Sequence, residues 1–133
     1  MLKIIENITK WFSRLGEKTP CNSAVRVLDG AVQFYNGVEL SGAVDLASVK
    51  EVFAFKRDLF TTDVICIGLR VDDSGTYCEV AEDYGGYEAF LEAIGKEFTG
   101  IDEDWFSEVA FPAFKPNVRS LWGEPLMDSI WKT

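Results

Sequence analysis

Two dipeptides seven residues apart, Asp29-Gly30 and Asn36-Gly37, constrain the fold of this chain more than anything else in it. Val25 and Val27 alternate with Arg26 before the first; Val32 and Phe34 lie between the two; residues 38–44 follow the second. A type I′ link between antiparallel strands needs positive φ, which Asp-Gly supplies well. The spacing therefore predicts successive β-hairpins. Asp45-Leu46-Ala47-Ser48 reads as a loop or a single helical turn, after which residues 49–57 predict another strand. Strand side chains alternate, so Phe53 and Phe55 fall on one face and Val52 and Ala54 on the other.

Val64–Val71 is almost continuously apolar, the pattern of a central strand buried on both faces. Asp72-Asp73-Ser74-Gly75 reads as a turn and Thr76–Ala81 as the returning strand. Helical periodicity appears at the two ends of this β region. Leu2, Ile5, Ile8, Trp11, Phe12 and Leu15 recur every three or four residues and predict an amphipathic helix, stopped at Gly16. Residues 17–23 read as a linker. Tyr87, Phe90, Leu91, Ile94 and Phe98 mark a second helix over 86–98, with Asp83 as its candidate cap and Gly100 beyond its end. Asp102-Glu103-Asp104 begins a third, short helix in which Trp105, Phe106 and Val109 are expected to pack inward. Pro112, Pro116 and Pro125 then predict an irregular tail, which Trp122 and Trp131 hold against the body.

The expected architecture is one α+β domain over 1–133: an antiparallel curved sheet or partly open barrel of five to six strands over 24–82, an N-terminal helix, a C-terminal capping helix and a short helix with a tail over 101–133. The element order is similar to that of a pleckstrin-homology-like barrel. Of the 133 residues, 47% are apolar, with ten Phe, four Trp and four Tyr. That content fills a core without a disulfide or metal staple.

Histidine is absent, which removes the usual proton-transfer side chain near neutral pH and the commonest transition-metal ligand. The three cysteines, Cys21, Cys66 and Cys78, have no metal-ligand spacing; Cys66 and Cys78 lie in apolar alternating runs and read as small hydrophobes. No metal or cofactor is expected, and the cysteine usage suits a cytoplasmic protein. Lys3, Glu6, Lys10 and Arg14 interrupt the first apolar segment, so it reads neither as a secretory leader nor as a membrane span.

The net charge of −9 is unevenly placed: residues 72–108 hold twelve acidic residues and one basic residue, Lys96. This argues against nucleic acid as a partner and permits a basic protein. Candidate partner-binding residues are Glu79, Glu82, Asp83, Asp102, Glu103 and Asp104 on an acidic face. Lys56, Arg57, Asp58 and Asp63 add a polar cluster at a strand–strand link. Gly85-Gly86 reads as a tight strand-to-helix turn, because no phosphate-binding pattern surrounds it.

The second half resembles a group of small bacterial single-domain proteins to which no activity is assigned. The matching segments are Val49-Lys50-Glu51-Val52, Lys56-Arg57-Asp58-Leu59, Thr62-Asp63-Val64-Ile65-Cys66, Glu82-Asp83-Tyr84-Gly85-Gly86, Asp104-Trp105 and Phe111-Pro112-Ala113-Phe114. The resemblance covers about residues 45–122 and implies no catalytic residues. Some similar small acidic bacterial proteins serve as immunity partners of secreted toxins. The leading expectation is thus a non-catalytic protein-binding module for a basic partner, with toxin immunity as one form of it. The second is a peripheral membrane or lipid-associated adaptor anchored by residues 2–15. The same apolar stripe also suits packing on its own domain or a homodimer contact. An enzyme using carboxylates and a divalent metal is least favoured.

Overall fold

A computed structural model describes residues 23–58, 63–110 and 118–132. The expected N-terminal helix, Cys21 and the Phe111–Phe114 segment lie outside the described residues. The first hairpin forms where its turn chemistry requires it. Strand β1 (Ser23–Leu28) pairs with β2 (Ala31–Asn36) through a turn in which Asp29 has φ 51° and Gly30 φ 74°. Both values are positive, as a type I′ turn demands. Gly37 turns the chain again into β3 (Glu39–Asp45), completing a sheet of order β1-β2-β3. Ser41 is an extra residue in the β2–β3 ladder and donates its hydroxyl to the Phe34 carbonyl at 3.0 Å.

After a 3-10 turn at Leu46–Ser48, the chain enters β4 (Glu51–Asp58), then β5 (Asp63–Arg70) and β6 (Tyr77–Ala81). The register aligns Glu51 with Arg70 and Asp58 with Asp63. Alternation along β4 sorts its side chains as expected. Val52 and Ala54 join the larger core with Ile65, Ile67 and Leu69, while Phe53 and Phe55 join a second cluster with Cys66 and Ala81. The larger core also takes Val25, Val32, Phe34 and Val44 from the three-stranded sheet, so one apolar layer fills the space between the two sheets.

Helix α1 (Tyr87–Glu97) closes this core, burying Phe90, Ile94 and, just past its end, Phe98. Each such side chain contributes about 1.5–3 kcal/mol on full burial. Its first turn is set by Gly86, at φ 81°; a Cβ there would run into the Val25 carbonyl oxygen, so glycine is required for both conformation and space. The expected side-chain cap is corrected here. Gly86 occupies the N-cap position without a side-chain hydrogen bond, and Asp83 lies three residues too early.

Two further expectations are overturned. In helix α2 (Trp105–Ala110), Val109 is fully buried and Trp105 packs partly against the core, but Phe106 is 46% exposed. The tail is not irregular: Val118–Gly123 forms β7, antiparallel to β4, and Leu126–Lys132 forms helix α3. The prolines misled because they flank these elements; Pro125 immediately precedes α3, where a missing N–H costs nothing. Trp122 packs on the larger core, 4.4 Å between ring centroids from Phe98. The expected sheet region holds six strands, and β7 from the tail makes seven among the described residues. They form two antiparallel sheets, β1-β2-β3 and β6-β5-β4-β7, with no closed barrel among the described residues.

Candidate functional site

The segment between β6 and α1 gathers the polar groups best placed to meet a ligand. It is held from two sides, by β5 and by β1. The Glu82 N–H donates to the Ile65 carbonyl, and the Ile65 N–H donates back to Glu82 Oε1, both at 2.9 Å. Gly85 forms a parallel bridge with Ala24 of β1, donating its N–H to the Ser23 carbonyl at 3.0 Å and accepting the Val25 N–H at 2.8 Å. These bonds extend β1 across the turn and fix where α1 begins.

An open groove of about 600 Å³ lies here, lined by Glu82, Tyr84, Gly86, Tyr87, Glu88, Ala89 and Leu91. Among the described residues its lining carries two carboxylates, two phenols and no cation. The Tyr87 hydroxyl is buried and makes no hydrogen bond among the described residues. Burial raises the Tyr87 phenol above its ordinary value, and the charge of Glu82 adds to this. Burial does the same for Tyr84, reinforced by Glu79. Both phenols are neutral at physiological pH, so the groove sets uncharged aromatic rings beside carboxylates. That combination receives ammonium or guanidinium groups and disfavours anions.

The ten residues singled out from sequence are not one surface. Glu82 and Asp83 are exposed at the groove's turn, and Asp102, Glu103 and Asp104 are exposed ahead of α2. Asp102 is engaged locally: it accepts the Asp104 N–H at 3.0 Å and stands 3.8 Å from Arg119. Glu79 does not belong to an outward acidic face. Its side chain is 1% exposed, and Arg57 Nη2 lies 2.8 and 2.9 Å from its two oxygens. Glu79 lies on the same face of β6 as Tyr77 and Ala81 and is fully buried there. Burial raises the Glu79 carboxyl against the pull of Arg57. Lys56 is likewise withdrawn: its side chain is 0% exposed, and Nζ donates to the Ala110 carbonyl at 3.2 Å and sits 3.6 Å from Asp63. The Asp58 side chain lies outside the described residues.

Comparison of the chain with family models, curated proteins and solved structures finds no match.

Reasoning from sequence missed two features. Tyr84, Tyr87 and Glu88 line the groove, although the periodicity puts Tyr87 on the apolar stripe of α1. Glu51 and Arg70 form a fully buried ion pair, 2.9 Å between Oε1 and Nε. Their positions at opposite ends of a predicted hairpin were a usable signal, since such residues face one another across the ladder. Among the described residues, no group of three His, Cys, Asp or Glu could hold a metal ion. Burial pushes the thiols of Cys66 and Cys78 well above their ordinary value, so neither is a thiolate nucleophile near neutral pH. No described helix is long and apolar enough to cross a membrane.

Proposed function

We propose that this chain is a non-catalytic binding protein that takes a basic protein partner, with a Lys or Arg side chain of that partner seated in the groove beside α1. The observation that carries this is the groove's lining: Glu82 and Glu88 beside Tyr84 and Tyr87, with no cation among the described lining residues. The wider charge pattern supports it, because the groove lies within residues 72–108, which hold twelve acidic residues and one lysine. Such a field speeds encounter with a cationic surface, and the aromatic rings supply contact area. The non-catalytic reading is supported by the absence of histidine and by the internal pairing of Glu51 and Glu79, each bound to an arginine. A toxin with a cationic active site is one partner that fits, in line with the resemblance to small bacterial proteins. The finer fold reading, a pleckstrin-homology-like open barrel, belongs to the same proposal and rests on two antiparallel sheets sharing one core beside a helix.

Glu82→Gln combined with Glu88→Gln tests it, because Gln at 82 keeps an acceptor for the Ile65 N–H. An Arg-rich peptide titrated against wild type should bind at low salt and weaken as salt rises. The double variant should bind about tenfold more weakly. Equal binding by both proteins would remove the groove from the proposal.

A further inference from the structure

The two buried glutamates that pair with arginines serve different ends. Glu51 ties elements together, because its Oε1 accepts the Leu126 and Met127 N–H groups as well as Arg70 Nε. Glu79 ties none. Its carboxylate is 1% exposed, meets Arg57 Nη2 at 2.8 and 2.9 Å and accepts the Cys66 thiol. Among the described residues no backbone N–H reaches it. A carboxylate withdrawn from water is costly, and this one holds no segment in place. Its one charged partner is a guanidinium, which is 40% exposed and permanently charged.

The pair stands beside the groove. Glu79 and Glu82 are three residues apart where the chain leaves β6, about 10 Å of extended backbone. Arg57 faces Val64 across the β4–β5 ladder, and the next residue, Ile65, donates its N–H to Glu82 Oε1. The Arg57 guanidinium lies 6.0 Å from the centroid of Phe55, in the cluster on which Tyr84 of the groove packs. Burial raises the Tyr84 phenol; Glu79 adds to this and Arg57 opposes it, so both charges are felt at the lining.

A guanidinium is also the kind of group that the groove is read to accept, and the present inference rests on that reading. Left uncompensated, Arg57 would stand within about one Debye length of a cation seated at Glu82. A unit charge about 10 Å away changes the affinity for one such cation by about two- to tenfold over the effective dielectric range of a protein surface.

We propose that Glu79 is the internal counter-ion that keeps Arg57 from opposing a cationic ligand in the groove. Glu79 thereby sets the affinity of the groove although it is not part of the lining. Its burial makes the arrangement one-sided: a ligand cannot draw Glu79 away from Arg57, whereas Glu82 and Glu88 stay exposed for the ligand.

An Arg-rich peptide titrated into the full chain and its variants near neutral pH tests this. At low salt Glu79→Gln should bind at least about threefold more weakly than wild type. The gap should close as salt rises, which a packing defect would not do. Arg57→Gln with Glu79→Gln should return to the wild-type affinity, and Arg57→Gln alone should not weaken it. Wild-type affinity in Glu79→Gln at low salt overturns the proposal. So does a loss that salt leaves unchanged or that persists in the double variant. If Glu79→Gln does not fold, Glu79→Asp decides, because its shorter carboxylate holds Arg57 less closely: a salt-sensitive loss supports the proposal and unchanged binding overturns it. Glu82→Gln with Glu88→Gln separates the two levels. If that variant binds as wild type does, the groove reading fails and this inference falls with it; if it binds weakly while Glu79→Gln does not, only the role of Glu79 falls.

Discussion

Glu51 and Arg70 face one another across β4 and β5, both fully buried, with Oε1 2.9 Å from Nε. The pair also organises what lies beyond the ladder. Glu51 Oε1 accepts the N–H groups of Leu126 and Met127 at 3.1 Å each, while Arg70 donates to the carbonyls of Asp72 and Glu124. A strand residue thus satisfies orphan donors at the start of α3, some 75 residues later in the chain. Two charges withdrawn from water persist only because each has several partners.

Removing one charge of this pair leaves the other stranded. Arg70→Met is expected to cost about 3–5 kcal/mol, measured by urea unfolding. Glu51→Gln with Arg70→Met should recover part of that loss, since the Gln carbonyl still accepts from α3 and no buried charge remains. A double variant no more stable than the single would show that the pair is not the source of the cost.

Gly68 lies under the Phe53 ring, and an added Cβ would overlap three of that ring's atoms. Because the ring is stacked on Phe55 and met edge-on by Tyr77, it has little room to retreat. Gly68→Ala should therefore destabilise by about 1–3 kcal/mol. Phe53→Leu in the Gly68→Ala background should restore part of the loss, a coupling that thermal or urea unfolding of the four proteins in the cycle measures.

Two acids should give opposite pH signatures. Burial acts to raise the Asp72 carboxyl, but hydrogen bonds from Thr76 and Ser74 hold it below its ordinary value of 3.8. Its stabilising contribution is present above that value and is lost as pH falls through the lower folded value. Glu79 is raised above its ordinary 4.5 by burial. The folded state thus favours its protonated form, and its contribution declines as pH rises from 4.5 through the folded value. In urea unfolding between about pH 3 and 8, Asp72→Asn should flatten the acid limb, while Glu79→Gln should remove the loss above 4.5. Parallel curves for wild type and both variants would contradict these assignments.

What the sequence determined by itself is local. The Asp29-Gly30 turn, the second turn at Gly37, the two faces of β4, the buried β5 and the stripe of α1 formed where expected, because turn conformation and side-chain periodicity are set by neighbours within a few residues. Only the tertiary structure decided the rest. β7 exists because β4 offers it a ladder, although its own segment is bracketed by prolines. Glu79 and Lys56, which look like surface charges in sequence, are buried because strand pairing brings Arg57 to one and the Ala110 carbonyl and Asp63 to the other. The β6–α1 turn that carries the groove is held by the Ala24–Gly85 bridge, a contact between residues some sixty positions apart. Whether a charge faces water or a partner depends on which segments pack over it, and that is a long-range property no short window of residues encodes.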